Sequence, residues 1–251
     1  MGVAVLLKQV PDTTAKISIS GGRVDESSVT KWSISPYDEY ALENAIKLKE
    51  SGYGDVVAIT CGPARAAKCL TEAAAVGADR LIHVVTNSPL DSIQIQSLLL
   101  GAVKESGCEV VMCGKQAADT NSGSTGPGLS SSLGYSFVGG ATSVSMEGMV
   151  ASATRLGPSG LEEVEVAVPC VFSFDKGDSE LRRPNVRGIM MAKKKQIDSF
   201  TPEDLGVDTS NSMVSIDSQS SPPEKQPGQK FIGSESVPEV VIKLREEAGV
   251  I

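Results

Sequence analysis

Clustered positive charge is nearly missing from this chain. Lys and Arg total 23 against 31 Asp and Glu, giving a formal net charge of -8. Nucleic-acid backbones are held through concentrated Lys and Arg, so they are excluded as partners. The run Lys193-Lys194-Lys195 is too short to reverse this. Histidine is reduced to one residue, His83, set inside an apolar run. Ser-His-Asp and Cys-His catalysis therefore lack a visible base. The five cysteines (Cys61, Cys69, Cys108, Cys113, Cys170) are odd in number and form no CxxC pair. Neither a disulfide framework nor a zinc site is signalled, and buried thiols in a reducing compartment are expected. HxxxH and DxDxDG patterns are absent, so no metal is expected. Long apolar runs are lacking too: Val3 to Leu7 gives way to Lys8, far short of a signal peptide or membrane span. A cytoplasmic protein with no direct membrane insertion is the expectation.

What is present is a repeating strand-helix grammar. In 251 residues with 40% hydrophobic content there is enough material for one sizeable core. Val3 to Leu7 reads as a buried strand followed by the turn signal Pro11-Asp12. Alternation around Ile17 and Ile19, then Gly21-Gly22 and Arg23-Val24, predicts a small hairpin. Ser35 as cap, Pro36 at the first helical position, Asp38 and Glu39 at the positive dipole end and Gly52 past the last turn predict a helix. Strands at Val56 to Ile59, Arg80 to Val85 and Glu109 to Cys113 alternate with helices near Ala64 to Val76 and Asp91 to Ser106. This predicts an α/β fold, a doubly wound and mostly parallel sheet. The loops near Lys8 to Asp12, Cys61 to Ala64 and Gly114 to Gly126 should converge at one edge, where such sheets bind ligands. After Gly140 the pattern turns to strand-like alternation, at Ala141 to Met146, Met149 to Thr154 and Val164 to Val168. Residues 209–228, rich in Ser, Pro, Gln and Asp, read as an extended linker before a helix near Val237 to Glu247. The chain thus divides into an α/β domain over 1–208 and a C-terminal arm over 209–251, read as facing a partner or as a simple mobile tail.

The most informative stretch is Gly114-Lys115-Gln116-Ala117-Ala118-Asp119-Thr120-Asn121-Ser122-Gly123-Ser124-Thr125-Gly126-Pro127-Gly128. It follows a buried strand and precedes a helix, and it supplies glycines, hydroxyls, amides and one carboxylate. Such a loop can wrap a ribose and phosphate, the anion meeting backbone amides at the helix start. Cys61-Gly62-Pro63 sits at another strand end beside the same crevice. Ser20-Gly21-Gly22-Arg23-Val24-Asp25 approximates the pyrophosphate loop of ATP-splitting enzymes, but it follows the wrong strand and reads better as a hairpin turn.

With these residues in view, the chain resembles the electron-transfer flavoprotein beta-subunit family over about residues 1–207. The resemblance rests on order: Lys8-Gln9-Val10-Pro11-Asp12-Thr13, Ser35-Pro36, Thr60-Cys61-Gly62-Pro63-Ala64, Gly77-Ala78-Asp79-Arg80, Gly114-Lys115-Gln116-Ala117, Thr125-Gly126 and Ala192-Lys193-Lys194-Lys195. It implies a Rossmann-like, adenine-nucleotide-binding fold joined to an alpha subunit that carries the redox FAD. This chain would hold AMP or, in electron-bifurcating branches, a second FAD. By motif, Leu6, Ser35, Cys61 and the run Asp119, Thr120, Asn121, Ser122, Gly123, Ser124, Thr125 and Gly126 would line that site. Val10, Pro11, Asp12 and Thr13 would approach the alpha-subunit flavin.

Asn185, Val186, Arg187 and Ile189, within a loop near 179–195, would dock a flavin dehydrogenase. Where the family commonly has a leucine and proline, this chain has Val186-Arg187. The lost methylene is worth ~0.8 kcal/mol, and the added charge would be rejected by an apolar pocket. A dehydrogenase other than the usual acyl-CoA one, or different docking, is the expectation. The implied function is electron carriage to a downstream quinone or a ferredoxin- or NADH-linked acceptor, without stand-alone catalysis. The alternatives are a beta subunit of a bifurcating NADH-oxidising flavoprotein and, in another class, an ATP-dependent enzyme with a pyrophosphate loop.

Overall fold

The computed structural model describes residues 2–87, 89–177, 179–224 and 227–251. In chain order, β1 (Gly2–Leu6), β2 (Gln9–Pro11), the hairpin β3 (Ile19–Ser20) and β4 (Arg23–Val24), and β5 (Trp32–Ile34) lead to α1 (Pro36–Glu50). Then come β6 (Asp55–Gly62), α2 (Ala67–Val76), β7 (Arg80–Val85), α3 (Ser92–Ser106), β8 (Val110–Gly114) and α4 (Thr125–Leu133). The last part holds β9 (Ser136–Glu147), β10 (Val150–Gly157), β11 (Gly160–Ala167), β12 (Cys170–Phe174), α5 (Val186–Ala192), β13 (Asp198–Phe200) and α6 (Val237–Glu246).

The main sheet has the order β11-β10-β9-β12-β8-β1-β6-β7-β13. Every pair from β9 across to β13 is parallel, and β10 and β11 extend the β9 edge in antiparallel fashion. The expected α/β fold with a large, mostly parallel sheet is thus realised. Successive residues of the central strands serve opposite faces, as the two-residue period requires. Val3, Val5, Met112 and Phe172 pack with α1 and α2, whereas Ala4, Leu6, Val111 and Val171 pack with α3 and α4. Both faces are covered, which is why these strands read as continuous aliphatic runs.

Helix ends follow their local chemistry. Asp91 caps α3 in a reciprocal arrangement with Gln94, and Gly107 closes it in the left-handed region at φ 68°. Pro36 opens α1 as expected, but the Ser35 side chain makes no capping bond to the helix. Instead its Oγ accepts from Ala118 N–H at 3.3 Å. Gly21 and Gly22 turn the β3-β4 hairpin with φ of 57° and 72°.

Three features depart from the sequence reading. β12, a central strand between β8 and β9, was not anticipated. The chain runs out to the sheet edge through β9, β10 and β11 and returns to insert Cys-Val-Phe-Ser-Phe between β9 and β8, a pairing that no local pattern encodes. β9 begins at Ser136 rather than Ala141, because its first half pairs with β12 and only its second half with β10. The loop near 179–195, expected to dock a dehydrogenase, contains a short helix, α5, and is followed by the edge strand β13, where Arg80 and Asp198 pair at 2.8 Å.

The arm has no regular element from 209 to 224, as its composition suggested; Lys225 and Gln226 of the expected linker lie outside the described residues. Among its described residues it is tied near the start of α3 and at the β3-β4 hairpin. The second Asp91 carboxylate oxygen accepts from Met213 N–H at 2.6 Å, Val214 N–H at 3.3 Å and Ser212 Oγ at 3.2 Å. Farther on, Gln219 joins the hairpin through its own N–H to Gly22 O at 2.8 Å and its Oε1 from Val24 N–H at 3.0 Å. α6 buries none of its residues.

Candidate functional site at the strand switch

From β1 the chain steps to β6 and β7 on one side, then returns with β8 on the other flank of β1. The loops after β1 and β8 therefore part at the carboxyl edge of the sheet, the place where open α/β sheets form a crevice. The start of α1 sits there. Ser35 N–H donates to Lys8 O at 2.9 Å. The Asp38 carboxylate spans both strand ends, one oxygen accepting from Lys8 N–H and the other from Gly114 N–H, each at 2.8 Å. Burial pushes the Asp38 carboxyl up to about 7, against the opposing pull of those two N–H donors. A Cβ on Gly114 would stand 2.5 Å from Asp38 Oδ1 and 2.7 Å from Tyr37 Cβ. Glycine is what lets α1 approach this closely.

The loop between β8 and α4 folds over the same edge. Lys115 N–H extends the pairing to Phe174 O at 2.8 Å, while its ammonium pairs with Asp175 at 2.8 Å. Asn121 holds a left-handed φ of 52°, its side chain accepting from Gln116 Nε2 at 3.0 Å. Asp119 meets the Lys8 ammonium at 2.7 Å, joining this loop to the end of β1. Asp119, Thr120, Asn121 and Ser122 are exposed, Gly123, Ser124 and Thr125 half-buried, and Gly126 buried. A Cβ on Gly126 would come within 3.0 Å of the Phe137 ring and 3.2 Å of Cys113 Sγ, so glycine seats α4 against the sheet. The Ser124 side chain makes no capping bond at the start of α4, which leaves the first amides of the helix to an outside acceptor.

Of the residues expected at this site, Ser35 and the loop from Asp119 to Gly126 are brought together directly with the β1 end. Leu6 is buried on the α3 and α4 side of β1, and Cys61 closes the neighbouring strand β6. Burial pushes the Cys61 thiol up to about 11, which keeps it neutral. His83 is buried with Nε2 at 3.0 Å from Gly62 O, a packing role as expected.

The loop expected to face a flavin lies beside the crevice. Val10 and Pro11 belong to β2, paired with β5. The Val10 side chain is fully buried, so only its backbone can face a ligand, whereas Pro11, Asp12 and Thr13 reach the surface. The hydrogen-bonded Lys31 ammonium holds the Asp12 carboxyl well below its ordinary range. The expected docking residues sit elsewhere, at α5, which packs against α2. Asn185 caps that helix by accepting from Gly188 N–H at 2.7 Å, and a Cβ on Gly188 would strike Ala75 O. Val186, Arg187 and Ile189 are exposed, and Met190 and Met191 add two exposed apolar side chains that the sequence reading did not single out. Lys8 belongs to a loop expected at this edge, whereas Asp38 was missed as a site residue; its signal was an acid at the third helical position after Ser-Pro.

A family model for the electron transfer flavoprotein domain matches residues 24–205. The chain is 32% identical to the electron transfer flavoprotein subunit beta of Bacillus subtilis over 258 residues, with all of both chains covered. Against the protein of that name from Bradyrhizobium diazoefficiens it is 34% identical over 253 residues, again covering both chains. A rice relative, named electron transfer flavoprotein subunit beta, mitochondrial, is 32% identical over 257 residues with full coverage. A cytoplasmic location is therefore not a property of the whole family. No helix among the described residues is long and apolar enough to cross a membrane.

Proposed function

Because this chain belongs to the electron transfer flavoprotein beta-subunit family, we propose that its switch-point crevice holds one adenine nucleotide, AMP or FAD, beside an alpha subunit carrying the redox FAD. The FAD of the alpha subunit supplies the electron-carrying chemistry; this chain supplies a wall, a nucleotide site and a docking helix. The observation that carries the reading is the loop from Asp119 to Gly126, tied back onto the central strand ends through Ser35 and Lys8. Its polar groups suit a nucleotide: the opening amides of α4 to donate to phosphate, hydroxyls at Thr120, Ser122, Ser124 and Thr125, and the Asp119 carboxylate to accept from ribose hydroxyls. Lys8 offsets the Asp119 charge where a phosphate must approach.

Pro11, Asp12 and Thr13 would form the part of the wall nearest the partner's flavin. The arm over 209–251 would lie on the alpha subunit, since α6 buries nothing on its own chain. α5 would dock the flavin dehydrogenase that donates electrons, to be passed on to a quinone or a ferredoxin- or NADH-linked acceptor. Val186 is 76% exposed, so Val186→Asp should leave folding intact and slow electron acceptance from the dehydrogenase; an unchanged rate would remove α5 from docking.

Mass spectrometry of nucleotides released from the co-purified heterodimer tests the main reading. One FAD plus one AMP supports the single-flavin carrier, and two FAD without AMP supports the bifurcating class. Absence of any adenine nucleotide beyond the alpha-subunit FAD would overturn the site.

A further inference from the structure

The residue that joins the two halves of the crevice is one that no ligand need touch. Asp38 receives Lys8 N–H and Gly114 N–H on separate oxygens. Lys8 leads directly into Gln9–Pro11, and Gly114 directly into the loop that ends at Gly126. Each side is further fixed to the same short segment, Lys8 O by Ser35 N–H and Ala118 N–H by Ser35 Oγ. A second link runs outside, from the Lys8 ammonium to Asp119. With the carboxylate 6% exposed and flanked by close backbone contacts at Gly114, a displacement of one strand end must be passed to the other or break a buried hydrogen bond. Breaking such a bond carries the full cost of an unmet buried polar group, and close-packed interiors respond by discrete shifts and not by give.

We propose that Asp38 is a positioning residue that couples the nucleotide loop to the flavin-facing loop, so that nucleotide occupancy of this chain adjusts the environment of the partner's flavin. The inference rests on the nucleotide site proposed above. Lys8 and Asp119 provide the parallel, solvent-facing part of the same connection, and their half-exposed ion pair is the weaker link.

The test uses the heterodimer reconstituted with and without AMP, reading both bound AMP by mass spectrometry and the alpha-subunit flavin by visible absorbance and midpoint potential. In the wild type, AMP is expected to shift both flavin readouts. Asp38→Asn offers one acceptor oxygen where two N–H groups converge, and its amide N–H₂ opposes the other donor. That variant should still bind AMP while losing at least half of the AMP-dependent flavin shift. Lys8→Gln, which keeps both Asp38 bonds, should lose a smaller part, and it keeps the test open if Asp38→Asn folds poorly. A full shift retained in both variants would overturn the coupling, as would a wild type that binds AMP without any flavin response. A wild type that binds no adenine nucleotide in this chain would overturn the site and the coupling together.

Discussion

The carboxyl edge of the sheet and the C-terminal arm are built on opposite terms. At the edge, Ser35 and Asp38 are buried, four backbone groups from distant parts of the chain converge on them, and glycines at 114 and 126 let the helices close in. Among the described residues, the arm is tied to its own domain around Asp91 and Gln94 and at the β3-β4 hairpin, and no residue from Val237 to Glu246 is buried. One region has its interactions satisfied internally. The other carries an amphipathic helix that leaves Val241, Ile242 and Leu244 exposed.

Substitutions should separate the two regions sharply. Gly114→Ala forces a methyl against Asp38 and Tyr37 and is expected to destabilise the domain by about 3 kcal/mol, read from urea denaturation. A shift below a third of that would mean that the edge yields as the arm does. Asp38 gives a pH signature. Its carboxyl lies above the ordinary value of an unfolded chain, at about 7, so between about pH 4 and 7 the folded state binds the proton more tightly. Relative to Asp38→Asn, wild-type stability should therefore fall as pH rises through this window, by at most about 1.4 kcal/mol per pH unit. A flat difference would place Asp38 in a more solvated setting.

The effects on the arm should be smaller still. Asp91→Asn keeps one acceptor for the start of α3 but turns an amide donor toward Met213 and Val214. Hydrogen exchange at those two amides should quicken while the denaturation midpoint stays put. Loss of global stability would show that the arm belongs to the domain's core. Removing residues 227–251 should change the stability of the isolated chain by no more than about 0.5 kcal/mol, yet weaken binding of the alpha subunit.

The contrast also explains what could be read in advance. The units from β1 to β8 carry their own punctuation: Pro36 opens a helix, Gly52, Gly77 and Gly107 close three, and aliphatic runs mark the strands between. The loop from Gly114 to Gly126 was legible from its position after a buried strand. β12 was not, because five apolar residues do not specify that they insert between β8 and β9. Asp38 looked like an acid placed for the helix dipole. Its bond to Gly114, 76 residues away, exists only once the sheet has formed. Ser35 was recognised at the helix start, but its side chain accepts from the loop after β8 instead of capping the helix. Long-range pairing fixes these roles, and local pattern is blind to it.

Hydrogen exchange of the heterodimer, measured with and without added AMP, tests the nucleotide site most directly. Protection gained by residues 117–126 and by the Lys8 to Thr13 segment, with the arm unchanged, is the predicted result. Binding of AMP that leaves residues 117–126 unprotected would contradict the assignment of the switch-point crevice as the nucleotide site.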